Sequence, residues 1–260
     1  MDKLYIIKIG GNIIDDEVKL ASFLHAFAAI EGKKILVHGG GKLATRMAEA
    51  MGVQQQMVEG RRITDAETLK IVTMVYAGYI NKNIVARLQA LGCNAIGLCG
   101  ADGNALRAHK RQASIDYGFV GDVGAVNAPL LNSLLQQNHT VVLAPITHDG
   151  NGGLLNTNAD TIAQETATAL SGSFDTELIY SFEKSGVLLD VNDEKSVIPS
   201  ITPSSYRQLK AEGKIFAGMI PKLDNTFVAL NKGVKKVMIG MAEELPELLN
   251  GTKGTTIRHD

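Results

Sequence analysis

Leu4-Tyr5-Ile6-Ile7-Lys8-Ile9 is a nearly continuous apolar run interrupted by a single lysine. Such a run marks a strand covered on both faces, as in a parallel sheet between helical layers. Gly10-Gly11-Asn12 ends it, and Asp15-Asp16-Glu17 then puts acid where the dipole of a starting helix favours it. Leu20, Phe23, Leu24 and Phe27 follow at helical spacing. A second apolar run over 34–38 leads into Gly39-Gly40-Gly41 and another helix. Two successive strand–glycine loop–helix units predict an α/β fold built on a parallel sheet.

Further along, Thr64-Asp65-Ala66-Glu67 reads as a capping box that opens a long helix to about residue 91. A strand is expected over 94–98. Residues 101–126, with glycines at 103, 118, 121 and 124, read as loops and short hairpins. A helix over 127–137, a strand over 140–146 and a helix capped by Asn158 and running to about 171 complete the first half. A second strand–helix series begins near 177. It contains a helix start at Thr202-Pro203, a helix over 222–232 and strands over 235–240 and 255–258. No repeat, low-complexity stretch or polar linker interrupts the chain. Two lobes, 1–172 and 173–260, are therefore expected to share one continuous sheet and to meet at the turn Ser171-Gly172-Ser173.

Composition narrows the function classes. With 26 basic and 27 acidic residues the net charge is -1, so no strong field recruits nucleic acid or an anionic membrane. No stretch approaches the roughly 20 apolar residues of a membrane span, and the N-terminus lacks the apolar core of a signal peptide. The two cysteines, Cys93 and Cys99, do not have C-x-x-C spacing and flank an apolar run, as small core residues do. A soluble protein of the reducing cytoplasm is expected.

Several polar residues stand where chemistry is done. Gly10-Gly11 and Gly39-Gly40-Gly41 follow strands, where backbone N–H groups can approach an anion, although tight turning alone would also explain them. Neither is a Walker A motif or a G-x-G-x-x-G fingerprint. Lys8 inside a buried strand must reach an anion or snorkel to water. Arg62, after Gly60-Arg61, could clamp a carboxylate bidentately or lie solvated at the surface. In Asn156-Thr157-Asn158-Ala159-Asp160, Asn158 serves as an N-cap and Asp160 suits the positive helix end, but capping does not require Asn156. Lys222, after Gly218-Met219-Ile220-Pro221, sits at the wrong end of a helix dipole unless an anion lies beside it.

Taken in order, Lys8/Gly10-Gly11, His38-Gly39-Gly40-Gly41, Gly60-Arg61-Arg62, the 156–160 segment and the 218–222 segment resemble the amino acid kinase family over essentially the whole chain. The Arg62 and Asn156 segments resemble its branch acting on N-acylated glutamate. The resemblance implies a three-layer αβα sandwich with an open, mainly parallel sheet. It also implies that residues 1–172 bind the acylated amino acid and form a homodimer, while residues 173–260 bind ATP with Mg2+ held through the nucleotide phosphates. The implied reaction is ATP-dependent phosphorylation of the side-chain carboxylate of N-acetyl-L-glutamate in arginine biosynthesis. Lys8 and Lys222 would face the migrating phosphoryl group from opposite lobes, with Asp160 between them. Lys8, Gly10, Gly11, Gly40 and Lys222 would bind phosphate, and Gly40, Gly41, Arg62 and Asn156 the substrate's carboxylate and amide ends.

Two features depart from the family pattern. Phe182-Glu183-Lys184-Ser185-Gly186 stands where an Asp-Val-x-Gly turn is usual, which alters the surroundings expected for adenine and phosphates. Arginine-inhibited members carry an extra N-terminal helix that builds hexamers; here strand one comes first, and an arginine-insensitive homodimer is expected. Other readings are a kinase of the same fold acting on carbamate, aspartate, γ-glutamyl groups or UMP, or on N-succinyl-L-glutamate. A non-catalytic amino acid or nucleotide sensor is a further one. Two lysines and an aspartate poised to neutralise a transition state are superfluous in a sensor.

Overall fold

A computed structural model describes residues 1–58, 60–215 and 219–260, apart from the Pro221 side chain. The chain begins β1 (Lys3–Ile9), α1 (Gly11–Ile14), α2 (Glu17–Ala28), β2 (Lys33–His38) and α3 (Gly41–Ala50). A hairpin of β3 (Gln56–Val58) and β4 (Arg61–Ile63) precedes α4 (Ala66–Thr73), a π-helical segment (Met74–Ile80) and α5 (Asn81–Ala90). Then come β5 (Ala95–Leu98), β6 (Leu106–Lys110), β7 (Val120–Val126), α6 (Ala128–Gln136), β8 (Thr140–Leu143), β9 (Ile146–His148) and β10 (Leu154–Thr157). The remainder is α7 (Ala159–Leu170), β11 (Asp175–Phe182), β12 (Ser200–Ile201), α8 (Pro203–Ala211), α9 (Ile220–Asn231), β13 (Lys236–Met241), α10 (Leu245–Leu249) and β14 (Thr255–Ile257).

Eight strands form the main sheet in the order β12-β14-β13-β11-β1-β2-β8-β5. All its pairings are parallel except β13 with β14. Because β11 pairs with β1 along its full length, residues 1–172 and 173–260 share this sheet without a break. Side chains alternate across it and build two cores. On one face Leu4, Ile6, Ile35 and Val37 pack with α6, α7, α8 and α9; on the other Ile7, Ile9 and Leu36 pack with α2, α3, α4, α5 and α10. The architecture is an αβα sandwich with an open, mainly parallel sheet.

Local chemistry sets most of the boundaries. Asp16 caps α2 by accepting from the N–H groups of Val18 and Lys19, and Thr202 with Ser205 closes a capping box on α8. Two expectations change. The long helix is capped by Asp65 rather than Thr64, and its middle, 74–80, widens to π geometry. The strand expected over 140–146 stops at Leu143, and Ile146 leaves for a second sheet. There β10-β7-β6-β9 close into a small barrel, built partly from the stretch expected to be loops and short hairpins. β6, β9 and β10 are short, and the longer β7 carries glycines at 121 and 124, so their alternation is too weak to announce them.

Candidate active site

Strand alternation puts Lys8 on the same face of β1 as Leu4 and Ile6, the face covered by α7 and α9. Its ammonium meets the first turn of α7, with Nζ 2.8 Å from Asp160 Oδ1. Asn158 starts that turn, its Oδ1 accepting from the N–H groups of Asp160 (2.7 Å) and Thr161 (3.3 Å). From α9, Lys222 Nζ comes within 3.5 Å of Asp160 Oδ2. One carboxylate thus joins two ammonium groups held by elements on either side of residue 172. Burial alone would raise the Asp160 carboxyl, but the charges of Lys8 and then Lys222 outweigh it and hold it below its ordinary value. Lys222 also lies over two aromatic rings, 5.0 Å from the Phe182 centroid and 6.0 Å from that of Tyr180. Burial, reinforced by the Asp160 charge, pushes the Tyr180 phenol far up, so it stays protonated.

Beside this triad the two glycine loops converge. A Cβ added to Gly11 would lie 3.7 Å from Gly41 N and 3.8 Å from Gly40 N. Gly40 has φ +146°, and a Cβ there would stand 2.3 Å from Cδ1 of buried Ile80, so glycine is required. Among the described residues the Gly40 and Gly11 N–H groups find no protein acceptor. Gly10 is not drawn into this wall: its N–H donates to the Ser181 carbonyl at 3.3 Å.

Arg62 is buried, although the sequence left a solvated surface position open. Its Nη2 donates to Gly41 O (2.9 Å) and Thr45 Oγ1 (2.9 Å), and its Nη1 to Gln55 Oε1. Asn156, on β10, donates from Nδ2 to Thr64 Oγ1 at 3.0 Å. Lys8, Gly11, Gly40, Gly41, Arg62, Asn156 and Asp160 together line a cavity of about 270 Å³. Lys222 stands beyond Asp160, and Gly218 of its motif lies outside the described residues.

The cavity also has walls that sequence reasoning passed over. Tyr76, from the π-helical segment, and Arg61 line it, as does Arg111 from the barrel. Arg111 Nε lies 3.1 and 3.2 Å from the two Asp122 carboxylate oxygens. An arginine in a stretch read as loop carries no local signal; only closure of the barrel brings it here. In the departing segment, Lys184 Nζ is 2.6 Å from Glu194 Oε1 and Ser185 Oγ 2.7 Å from Oε2, hydrogen bonds that hold the Glu194 carboxyl near pH 2.

Among the described lining residues there is no Ser–His or Cys–His pair. The two ammonium groups, the buried guanidinium and the glycine N–H groups can neutralise and position anions. That is the requirement of phosphoryl transfer to a group already nucleophilic.

This fold and this site define a small-molecule phosphotransferase, and the chain belongs to the amino acid kinase family, whose profile matches residues 3–240. Among curated proteins it is 60% identical to the acetylglutamate kinase of Cytophaga hutchinsonii over 97% of each chain. It is 57% identical to that of Phocaeicola vulgatus over 99% of each chain. Among solved structures, a Streptococcus mutans protein superposes with a TM-score of 0.79 at 27% identity, covering 99% of each chain.

Proposed function

We propose that the protein transfers the γ-phosphoryl group of ATP to the side-chain carboxylate of N-acetyl-L-glutamate, in keeping with its similarity to proteins named acetylglutamate kinase, and so serves arginine biosynthesis. The observation that carries this reading is the single carboxylate of Asp160 between Lys8 and Lys222, beside a cavity bearing Arg62 and Asn156. The acceptor carboxylate is ionised at neutral pH and needs no general base. Lys8 and Lys222 draw off charge developing on the transferring oxygens, and Asp160 keeps both aimed there while cancelling their mutual repulsion. The N–H groups of Gly11 and Gly40 donate to the same oxygens, whereas Gly10 shapes the turn. Arg62 and Asn156, with Gly40 and Gly41, orient the acylated amino acid so that its distal carboxylate points at Lys8.

Among the described residues no cluster of three or more His, Cys, Asp or Glu side chains could hold a metal. In this reading Mg2+ is carried on the phosphates of ATP, where it would neutralise their charge. Residues 173–260 hold the nucleotide and residues 1–172 the acceptor. The free cysteines Cys93 and Cys99 suit a reducing cytoplasm. The homodimer reading is supported by Met74 and Tyr79, 54% and 62% exposed on one helical segment, and light scattering at twice the monomer mass would bear it out.

The test is a coupled ADP-release assay offering N-acetyl-L-glutamate, N-succinyl-L-glutamate, glutamate, aspartate and UMP in turn. Turnover confined to the acylated glutamates, fastest with the acetyl compound, is expected. Acceptor-independent ADP release, or none at all, would overturn the reading.

A further inference from the structure

His38 is wholly buried at the end of β2, directly before the triglycine loop, and takes no part in the chemistry above. Its ring is held from both sides. Nδ1 lies 2.8 Å from the Gly39 carbonyl oxygen, and Nε2 lies 3.3 Å from Nδ2 of Asn81. Which nitrogen carries the proton follows from the neighbours of Asn81. Its Nδ2 also donates to Val142 O at 3.0 Å, and its Oδ1 accepts from Lys82 Nζ at 3.0 Å. Exchanging the amide's ends would set N–H against ammonium and oxygen against carbonyl, so its orientation is settled. The amide donates to His38 Nε2; that nitrogen is an acceptor, and Nδ1 carries the hydrogen that Gly39 O accepts. Lys82 is itself tied to Gly97 O at 2.8 Å. Burial, against a smaller opposing effect of the Gly39 bond, lowers the ring to about 4, so it remains neutral at working pH.

Trans peptide geometry turns this bond into an aiming device. The carbonyl of Gly39 and the N–H of Gly40 belong to one planar unit and point in opposite directions. Gly40, with no Cβ and φ +146°, would otherwise let that plane rotate readily. Gly39 O is held on the core side by His38, and the Gly40 N–H, which has no protein acceptor among the described residues, is directed away from it. We propose that His38, in its Nδ1–H tautomer and oriented by Asn81, is a positioning residue that aims the Gly40 N–H at the transferring phosphoryl group. The inference rests on the phosphotransferase reading of the cavity.

The experiment compares wild type with His38→Leu, His38→Asn and Asn81→Ala. It measures kcat and KM for N-acetyl-L-glutamate and the affinity for Mg-ADP with and without tetrafluoroaluminate, which mimics the group in flight. His38→Leu should lower kcat about 10- to 100-fold, less than the roughly 100- to 1000-fold for outright loss of one preorganised donor because the Gly40 N–H is misaimed rather than removed, with KM within about threefold. It should lose tetrafluoroaluminate-dependent affinity by the same factor, because fewer folded molecules would not change that ratio. Asn81→Ala should show a smaller loss of the same kind, and His38→Asn, whose amide N–H can replace Nδ1–H, should recover most of it. A ratio within about twofold of wild type in both His38→Leu and Asn81→Ala overturns the proposal. If the leucine variant does not fold, nitrogen-15 spectra of the wild-type ring decide: Nδ1–H is expected, and Nε2–H overturns it. The spectrum is read without turnover, so an inactive wild type would sink the functional reading separately.

Discussion

Replacing Asp160 by asparagine keeps the size of the side chain and removes the charge that holds two lysines together. At an effective dielectric constant of about 20, a unit charge pair separated as Lys8 and Asp160 are is worth about 6 kcal/mol, and one separated as Lys222 and Asp160 are about 5. These figures overstate the loss, because the side chains are partly wet: 16% exposed for Lys8, 36% for Lys222 and 27% for Asp160. The substitution also removes the cost of desolvating the carboxylate. After both discounts about 2–4 kcal/mol remains. In the proposed mechanism both ammonium groups point at the same oxygens, so most of it should be felt in the transition state rather than in ground-state binding. The expected result for Asp160→Asn is therefore a kcat lowered about 100-fold, close to 3 kcal/mol of barrier. KM for N-acetyl-L-glutamate should change little. The assay is steady-state ADP release, normalised to folded protein by thermal melting. A kcat within about threefold of wild type would refute the idea that Asp160 organises the lysines.

Removing either lysine should cost as much: Lys8→Ala and Lys222→Ala each lower turnover by about two decades or more, and near-wild-type rates in either would contradict their place in the reaction. Gly40→Ala must leave its φ and displace buried Ile80; a cost of about 2 kcal/mol lowers Tm by roughly 4–8 °C and impairs turnover, and an unchanged melt would show that the loop can relax. Arg62→Lys should raise KM for the acylated glutamate about tenfold or more with a smaller effect on kcat, since a point charge cannot replace the planar fork that also binds Gly41 O and Thr45; an unchanged KM would limit Arg62 to a structural role. His38 makes stability pH-dependent. Its folded pKa lies below its unfolded one, so its contribution is complete above about pH 6.5 and is lost as pH falls towards 4. The loss is about 3 kcal/mol, and urea melts of His38→Asn should show a correspondingly shallower decline over that interval.

The amino-acid sequence by itself determined the layered sheet and the places where the backbone turns. Apolar runs such as 4–9 and 34–38 report directly on strands buried on both faces, and side chains such as Asp16 and Thr202 cap their helices using groups a few residues away. Lys8 was legible as an anomaly for the same reason: an ammonium within an apolar strand conflicts with its immediate neighbours. Tertiary structure decided what those anomalies meet. That Lys8 and Lys222 share Asp160, that Gly11 lies against Gly40, and that Arg62 is buried over Gly41 O all depend on contacts between segments far apart in the chain. The small barrel, and with it the approach of Arg111 to the cavity, is stabilised by closure between short strands whose own patterns are weak. The tautomer of His38 lies furthest from the sequence, because it is set through Asn81 on α5 by the adjoining Lys82 ammonium and a carbonyl of β8. Local periodicity reports which face of an element is apolar; which partner that face finds is settled only when the whole chain packs.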